Sequence, residues 1–320
     1  MNRKFFLQLF LSLVLLSSCS CPYRYLPNYD PPQLPAFNVP QKVKIALVLG
    51  SGGVRGMVHL GILEEFEKAG IQFDLLVGCS AGSIVGALYA DCPDSSKIRD
   101  AVKGLRRNSI LDINLWECRF GLSQGKALSC LLNRCLEAKT FDQLKIPLVL
   151  VATDLNSGEL VPLGSGSLIQ AVKASCAIPL IFVPVEMHGR TLVDGGVVNP
   201  VPVCVARDLG AELIIAVDLR ELLNHTFPSN LFGVAARSTE IAFLWQSEAC
   251  CQGADVVIRP TLCDIGTFDA SKMTMLYEAG KAAARAAIPH IHELIKERCL
   301  DTVSGPCELR EARLDPYDAN

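Results

Sequence analysis

Residues 75–90 read LLVGCSAGSIVGALYA, and the reading of that stretch decides the fold. Leu75 to Gly78 is an apolar run of strand length, Gly78-Cys79-Ser80-Ala81-Gly82 is a Gly-x-Ser-x-Gly turn, and Ser83 to Ala90 opens an apolar helix. A strand that turns through a glycine-flanked serine into a helix is a nucleophile elbow. Gly78 and Gly82 relieve crowding where the backbone is strained, so Ser80 is the candidate nucleophile. Cys79 is the rival, but centring the elbow on it would require glycine where Val77 stands.

Outward from the elbow, strand-like runs alternate with amphipathic helical ones. Strands are expected at 45–49, 148–153, 182–193 with a turn at His188-Gly189, 213–217 and 256–259. Helices are expected over 55–69, 126–137, 168–175, 201–209 and 231–251, with a last pair after Ser271. That alternation predicts an α/β fold with a largely parallel sheet. No internal repeat is visible.

The chain has 320 residues, half of them hydrophobic, enough for a well-buried core. Its first residues have the layout of an export signal: Arg3 and Lys4, an apolar run from Phe5 to Leu16 too short to span a bilayer, then small residues. Leu16-Ser17-Ser18-Cys19 resembles the lipobox of bacterial lipoproteins, which makes Cys19 the expected lipidation site, 1–18 a signal peptide and the cell envelope the expected location, with Ser20 after the cysteine favouring the outer membrane. Pro22, Pro27, Pro31, Pro32, Pro35 and Pro40 then mark 19–42 as a tether. In polyproline form it would reach roughly 70 Å.

Charge excludes some functions. The 30 basic and 33 acidic residues become 28 and 33, a net −5, once Arg3 and Lys4 leave with the signal, and no basic run stands out. Nucleic acid is therefore not expected as a partner, nor is electrostatic adhesion to anionic lipid. Fourteen cysteines show no C-x-x-C pair, and neither vicinal Cys250-Cys251 nor His290-x-His292 makes a metal site, so no metal or cofactor is expected.

Two further loops carry chemistry. Gly50-Ser51-Gly52-Gly53-Val54-Arg55-Gly56 follows the first strand and leads straight into a helix, a geometry that aims backbone N–H groups at an anion. A dinucleotide pyrophosphate would need glycine at Arg55 and an acidic residue ending the second strand, and neither is present. The oxyanion of an acyl-transfer intermediate fits better, because it needs two or three preorganised donors beside a nucleophile. For the residue that takes the serine proton, an α/β-hydrolase order would call on His225, His290 or His292 after an acid such as Asp194. That fold places several strands before its elbow. Asp194 alone, at a strand end in Asp194-Gly195-Gly196, is the better candidate. His59, one turn beyond the glycine loop, reads as structural, and Ile178-Pro179 with Phe182-Val183-Pro184 as a wall for acyl chains.

The set LVLGSGGVRGMVHLGIL (47–63), VGCSAGSIVGALYA (77–90), AVKASCAIPLIFVPV (171–185) and LVDGGVVNPVPV (192–203) resembles the patatin-like phospholipase family, bacterial branch, in order and spacing. The likeness runs from about Val43 to Ile295, with 43–295 as the family domain and 296–320 as a C-terminal tail. It implies a three-layer fold, a mostly parallel central sheet with helices on both faces, and a serine–aspartate dyad that cleaves acyl esters of phospholipids or related lipids without histidine or metal. On that resemblance Ser80 is the nucleophile, Asp194 the general base, and Gly52, Gly53, Val54 and Arg55 the oxyanion loop. Ser51 stands where a fourth glycine is common. Acyl transfer to another acceptor shares the same acyl-enzyme, and a lipid-anchored scaffold without turnover is the non-enzymatic alternative.

Overall fold

The computed structural model describes residues 29–102, 112–113, 120–220, 228–262, 272–300 and 308–314. Pro32–Asn320 folds as one unit. It enters through a short strand, β1 (Phe37–Pro40), and then β2 (Ile45–Leu49), whose five residues are all buried. A 3-10 turn at Gly53–Gly56 leads into α1 (Met57–Lys68). β3 (Leu75–Cys79) and α2 (Ala81–Asp91) flank Ser80, and α3 (Ser95–Val102) and α4 (Lys126–Cys135) follow.

β4 (Leu148–Asp154) pairs in parallel with β3, which pairs in parallel with β2. β5 (Leu160–Leu163) returns antiparallel to β4, and α5 (Leu168–Ser175) precedes the hairpin of β6 (Val185–Met187) and β7 (Arg190–Asp194), whose second strand runs antiparallel to β4. After α6 (Val203–Asp208), β8 (Leu213–Val217) lies parallel to β2 on its other side. Then come α7 (Leu231–Cys250), β9 (Val256–Ile258), α8 (Met273–Glu297) and β10 (Leu309–Ala312). The main sheet runs β6-β7-β4-β3-β2-β8-β9, with β5 on β4.

The central strands read as unbroken apolar runs because both faces of the sheet are covered. The two-residue period of β2 sends Ile45, Leu47 and Leu49 into a core under α1, α2, α5 and α8, and Ala46 and Val48 into a second core with Val203, Val205 and Ala206 of α6. This is the expected three-layer α/β architecture with helices on both faces.

Three details depart from the sequence reading. The last pair of helices is one helix, α8, which continues through Pro289 because Leu276, Tyr277, Ala284 and Ile291 bury a single stripe. That packing outweighs the lost amide donor and steric cost of an interior proline, about 3 kcal/mol. The tether is shorter than 19–42: β1 pairs antiparallel with β10, Leu34, Phe37 and Val39 are buried, and the Arg190 guanidinium donates to the Pro32 carbonyl oxygen at 2.8 and 3.1 Å. Pro32 and the segment after it thus belong to the same unit as the sheet, and so does β10, rather than to a tether and a tail. The strand expected over 182–193 is confined to the hairpin, because Pro184 offers no N–H to a ladder.

Candidate active site

β3 and β4 place the two candidate residues in one row. Cys79 is level with Val151, and Ala152, the next residue of β4, is level with Asp194 on β7. Ser80 and Asp194 therefore rise from positions two strands apart, with the small side chain of Ala152 between them, a Cα separation of about 10 Å that two side chains can bridge. They do so: Ser80 Oγ donates to Asp194 Oδ2 at 2.6 Å. Both residues are buried, at 4% and 5% exposure.

Ser80 holds φ 51° and ψ −116°, a strained conformation for a residue with a Cβ. Its glycine neighbours are there for contact. A Cβ on Gly82 would lie 2.0 Å from the Leu49 carbonyl oxygen, and one on Gly78 would lie 2.9 Å from that of Gly82. The elbow is thus pressed against the end of β2 and the start of the glycine loop.

That loop wraps the elbow from the other side. Gly50 N–H donates to Val217 O at 3.1 Å and Ser51 N–H to Pro200 O at 2.8 Å, while a Cβ on Gly56 would sit 3.0 Å from Ala81 Cβ. Gly52 and Gly53 open the 3-10 turn, whose first N–H groups have no partner within the turn itself. Arg55 is buried and its Nη1 donates to Leu219 O at 3.2 Å, which ties the loop to the end of β8. Val54 packs at the margin of the larger core.

Around Asp194 the turn is equally tight. Gly196 N–H donates to Asp194 Oδ1 at 2.7 Å, and Thr153 Oγ1 donates to the Asp194 carbonyl at 3.0 Å. A Cβ on Gly195 would be 2.5 Å from Val151 O, so only glycine lets the turn lie on β4. Gln246 of α7 braces the far side, its Nε2 donating to Val197 O and Val198 O at 3.0 and 2.8 Å. Burial pushes the Asp194 carboxyl up from 3.8 to about 6, against the hydrogen bonds from Ser80 and Gly196 that favour its charged form.

Histidine is absent from this arrangement among the described residues. His59 is fully buried, donates from Nε2 to Gly50 O at 2.8 Å, and is held down at about 4 by its burial. His188 lies in the β6–β7 turn with φ 53°, His290 faces Glu293 at 3.5 Å, and His292 meets Ala69 O at 3.2 Å. His225 and Cys19 lie outside the described residues. The Cys79 thiol is pushed well above 9 by burial and then by the charge of Asp194, so its thiolate is suppressed. Of the segment read as an acyl-chain wall, Phe182 is buried, while Leu180 stands 83% exposed. Among the described residues no group of histidine, cysteine and carboxylate side chains could hold a metal ion.

Reasoning from sequence missed three contacts. Ser80 N–H donates to Ser175 Oγ at 3.0 Å, Cys176 Sγ donates to Ser80 O at 3.2 Å, and Asp194 N–H donates to Ala177 O at 3.0 Å. Ser175 and Cys176, small side chains with a polar hydrogen at the end of the helix, were the local signal.

Fold and site together define a three-layer α/β protein whose serine elbow faces a buried aspartate. Residues 47–207, half of the chain, match the family model of patatin-like phospholipase. The chain belongs to the patatin-like phospholipase family. It is 34% identical over 181 residues to patatin-like phospholipase domain-containing protein 6 of Mus musculus, covering 55% of this chain and 13% of that protein. It is 33% identical over 177 residues to an uncharacterized NTE family protein of Mycobacterium tuberculosis, covering 55% of this chain and 49% of that one. The chain thus spans about half or less of these relatives' own lengths. The crystal structure of VipD from Legionella pneumophila superposes with a TM-score of 0.53 at 13% identity, covering 86% of this chain and 73% of that one, a likeness of fold.

Proposed function

We propose that this protein is a serine acyl hydrolase acting on phospholipids or related acyl-ester lipids through a Ser80–Asp194 dyad. The observation that carries the reading is the 2.6 Å hydrogen bond from Ser80 Oγ to Asp194 Oδ2. A serine hydroxyl is a poor nucleophile, and an ordinary aspartate is a weak base. Burial answers the second difficulty, because a carboxyl with a pKa of about 6 is ionised near neutrality and still basic enough to help remove the proton.

In the proposed sequence Ser80 Oγ attacks the ester carbonyl carbon as its proton passes to Asp194. The carbonyl oxygen becomes an oxyanion that takes N–H donation from the loop at Gly52, Gly53 and Val54, the Arg55 N–H being given to Gly52 O at 3.2 Å. The intermediate collapses, the C–O bond to the leaving alcohol breaks, and Asp194 returns the proton to that alcohol. Water then attacks the acyl-enzyme, giving its proton to Asp194, and the second collapse releases the fatty acid and returns that proton to Ser80 Oγ. Each proton taken is returned within its half-reaction, so one ester and one water give one acid and one alcohol.

Lipidation at Cys19, proposed from the lipobox-like sequence, would hold this site beside a membrane. Cys19→Ser should abolish acyl labelling and release the protein from membranes, and persistent labelling would overturn the anchor. For the chemistry, a fluorophosphonate probe should label wild type at Ser80, and Ser80→Ala should lose both labelling and ester hydrolysis while folding normally. Hydrolysis of glycerophospholipids, lysophospholipids and short esters no faster by wild type than by Ser80→Ala would point to the scaffold instead.

A further inference from the structure

We infer that Ser175, Cys176 and Ala177 form a positioning element that sets the separation of the proposed dyad, an inference that rests on the dyad reading above. Ser80 and Asp194 are 114 residues apart in sequence, yet this one tripeptide at the end of α5 bonds to the backbone of both. Ser175 Oγ accepts Ser80 N–H at 3.0 Å, Cys176 Sγ donates to Ser80 O at 3.2 Å, and Ala177 O accepts Asp194 N–H at 3.0 Å. Ser83 Oγ completes the grip, donating to Ser80 O at 2.6 Å and touching Cys176 Sγ at 3.3 Å.

The physical need comes from the elbow itself. A serine held at φ 51° relaxes by rotating its flanking peptide groups, and here both flanking groups are held by side chains of α5 and α2. Ser175 and Ser83 are wholly buried and Cys176 is 5% exposed, so water does not compete for these bonds. The arrangement also engages the Ser80 N–H. That amide is committed to Ser175 rather than to an oxyanion. Because Ala177 anchors Asp194 from the same tripeptide, displacement of the α5 end would move nucleophile and base relative to one another, where misplacement by 1 Å costs on the order of 100-fold.

The test is the rate of fluorophosphonate labelling of the full chain as a function of pH, for wild type, Ser175→Ala, Ser175→Thr, Cys176→Ala and Cys176→Ser, with folding followed by circular dichroism. Ser175→Ala and Cys176→Ala are expected to slow labelling at least ~10-fold. They should also raise the apparent pKa of the rate, because a loosened Ser80 hydroxyl no longer favours the charged carboxylate. Ser175→Thr keeps the accepting hydroxyl, Cys176→Ser replaces the thiol donor with a hydroxyl donor, and both should restore rate and pKa. The neighbouring thiols of Cys79 and Cys176 stay neutral through this range, each pushed up by burial, so Asp194 is the group that titrates. Folded alanine variants that label at the wild-type rate with the wild-type pKa overturn the inference. So does a rate lost only in proportion to the unfolded fraction, with the pKa unmoved. Should Ser175→Ala fail to fold, the Cys176 pair decides on the same criteria. A wild-type chain that takes no probe at Ser80 overturns the dyad itself, whereas a labelled wild type with indifferent variants overturns the positioning element alone.

Discussion

Ser80 Oγ and Asp194 Oδ2 stand 2.6 Å apart because β3 and β7 are held in register by the strand between them, with Ala152 level with Asp194 and Val151 level with Cys79. A one-residue slip on β4 would turn Asp194 to the opposite face of the sheet. The meeting of these two residues is thus a property of sheet register, and the proposed base is a buried carboxylate.

The first prediction concerns pH. The proposed base, Asp194, could work only when ionised, and burial pushes its pKa up to about 6. Ester hydrolysis at low substrate is therefore expected to rise through about pH 6 and then stay level toward pH 9, with no second limb from histidine. Asp194→Asn should abolish that rise along with several orders of magnitude of activity, whereas His59→Gln, His188→Gln, His225→Gln, His290→Gln and His292→Gln should each lose far less. A folded histidine variant as inactive as Asp194→Asn would replace the dyad with a triad.

The second concerns the stability lost to that base. A carboxyl whose pKa is raised on folding favours the folded state fully below its unfolded value of 3.8, and the benefit disappears as pH climbs through about 6. At pH 8 the ionised group thus costs on the order of 2–3 kcal/mol. Asp194→Asn keeps the shape without the charge, so it should be more stable than wild type in urea at pH 8. The gap should close at pH 4. A variant equally stable or weaker at pH 8 would contradict the buried-charge account.

The third isolates strain at the elbow. Ser80→Ala and Ser80→Gly both remove the hydroxyl, but only glycine is at ease at φ 51°. The glycine variant should be the more stable of the two by roughly 1 kcal/mol, net of its extra unfolded-state entropy. Alanine equal to or better than glycine in the same denaturant titration would mean that the turn is unstrained.

The fourth concerns α1 and α8. A Cβ on Gly61 would stand 2.1 Å from Tyr277 O, and one on Gly280 would stand 2.2 Å from Val58 O. The two glycines let the helices meet backbone to backbone, so Gly61→Ala and Gly280→Ala should each cost about 2–3 kcal/mol. Together they should cost less than the sum, because the first methyl has already parted the helices. Additive losses, or single losses below about 0.5 kcal/mol, would rule out the close crossing.

The last concerns Arg190, which is 3% exposed and pairs with the fully buried Asp154 at 3.1 Å and with Glu159 at 2.6 Å while bonding Pro32 O. Arg190→Ala leaves buried carboxylates uncompensated, a loss of about 3–5 kcal/mol. It also releases the segment before β1, so limited proteolysis should shift to the bonds around Pro32. An unchanged digestion pattern would show that this segment is held elsewhere.

What the sequence by itself determined is the part of this protein written in short-range constraints. Gly78 and Gly82 announce the elbow because no larger residue fits beside Leu49 and Ser83, and Gly195 announces the aspartate turn because no larger residue fits over Val151. The unbroken apolar runs of β2, β3 and β4 announce a sheet covered on both faces, since a solvated face would show polar alternation. What only the tertiary structure decided involves partners remote in the chain: that Asp194 rather than a described histidine faces Ser80, that Ser175–Ala177 bonds to both, that β10 returns to β1, and that α8 runs on through Pro289. Local pattern states which side chains want burial or a turn. Which distant groups then meet depends on strand register and helix packing, where the energy comes from contacts between segments that no local window of the chain contains.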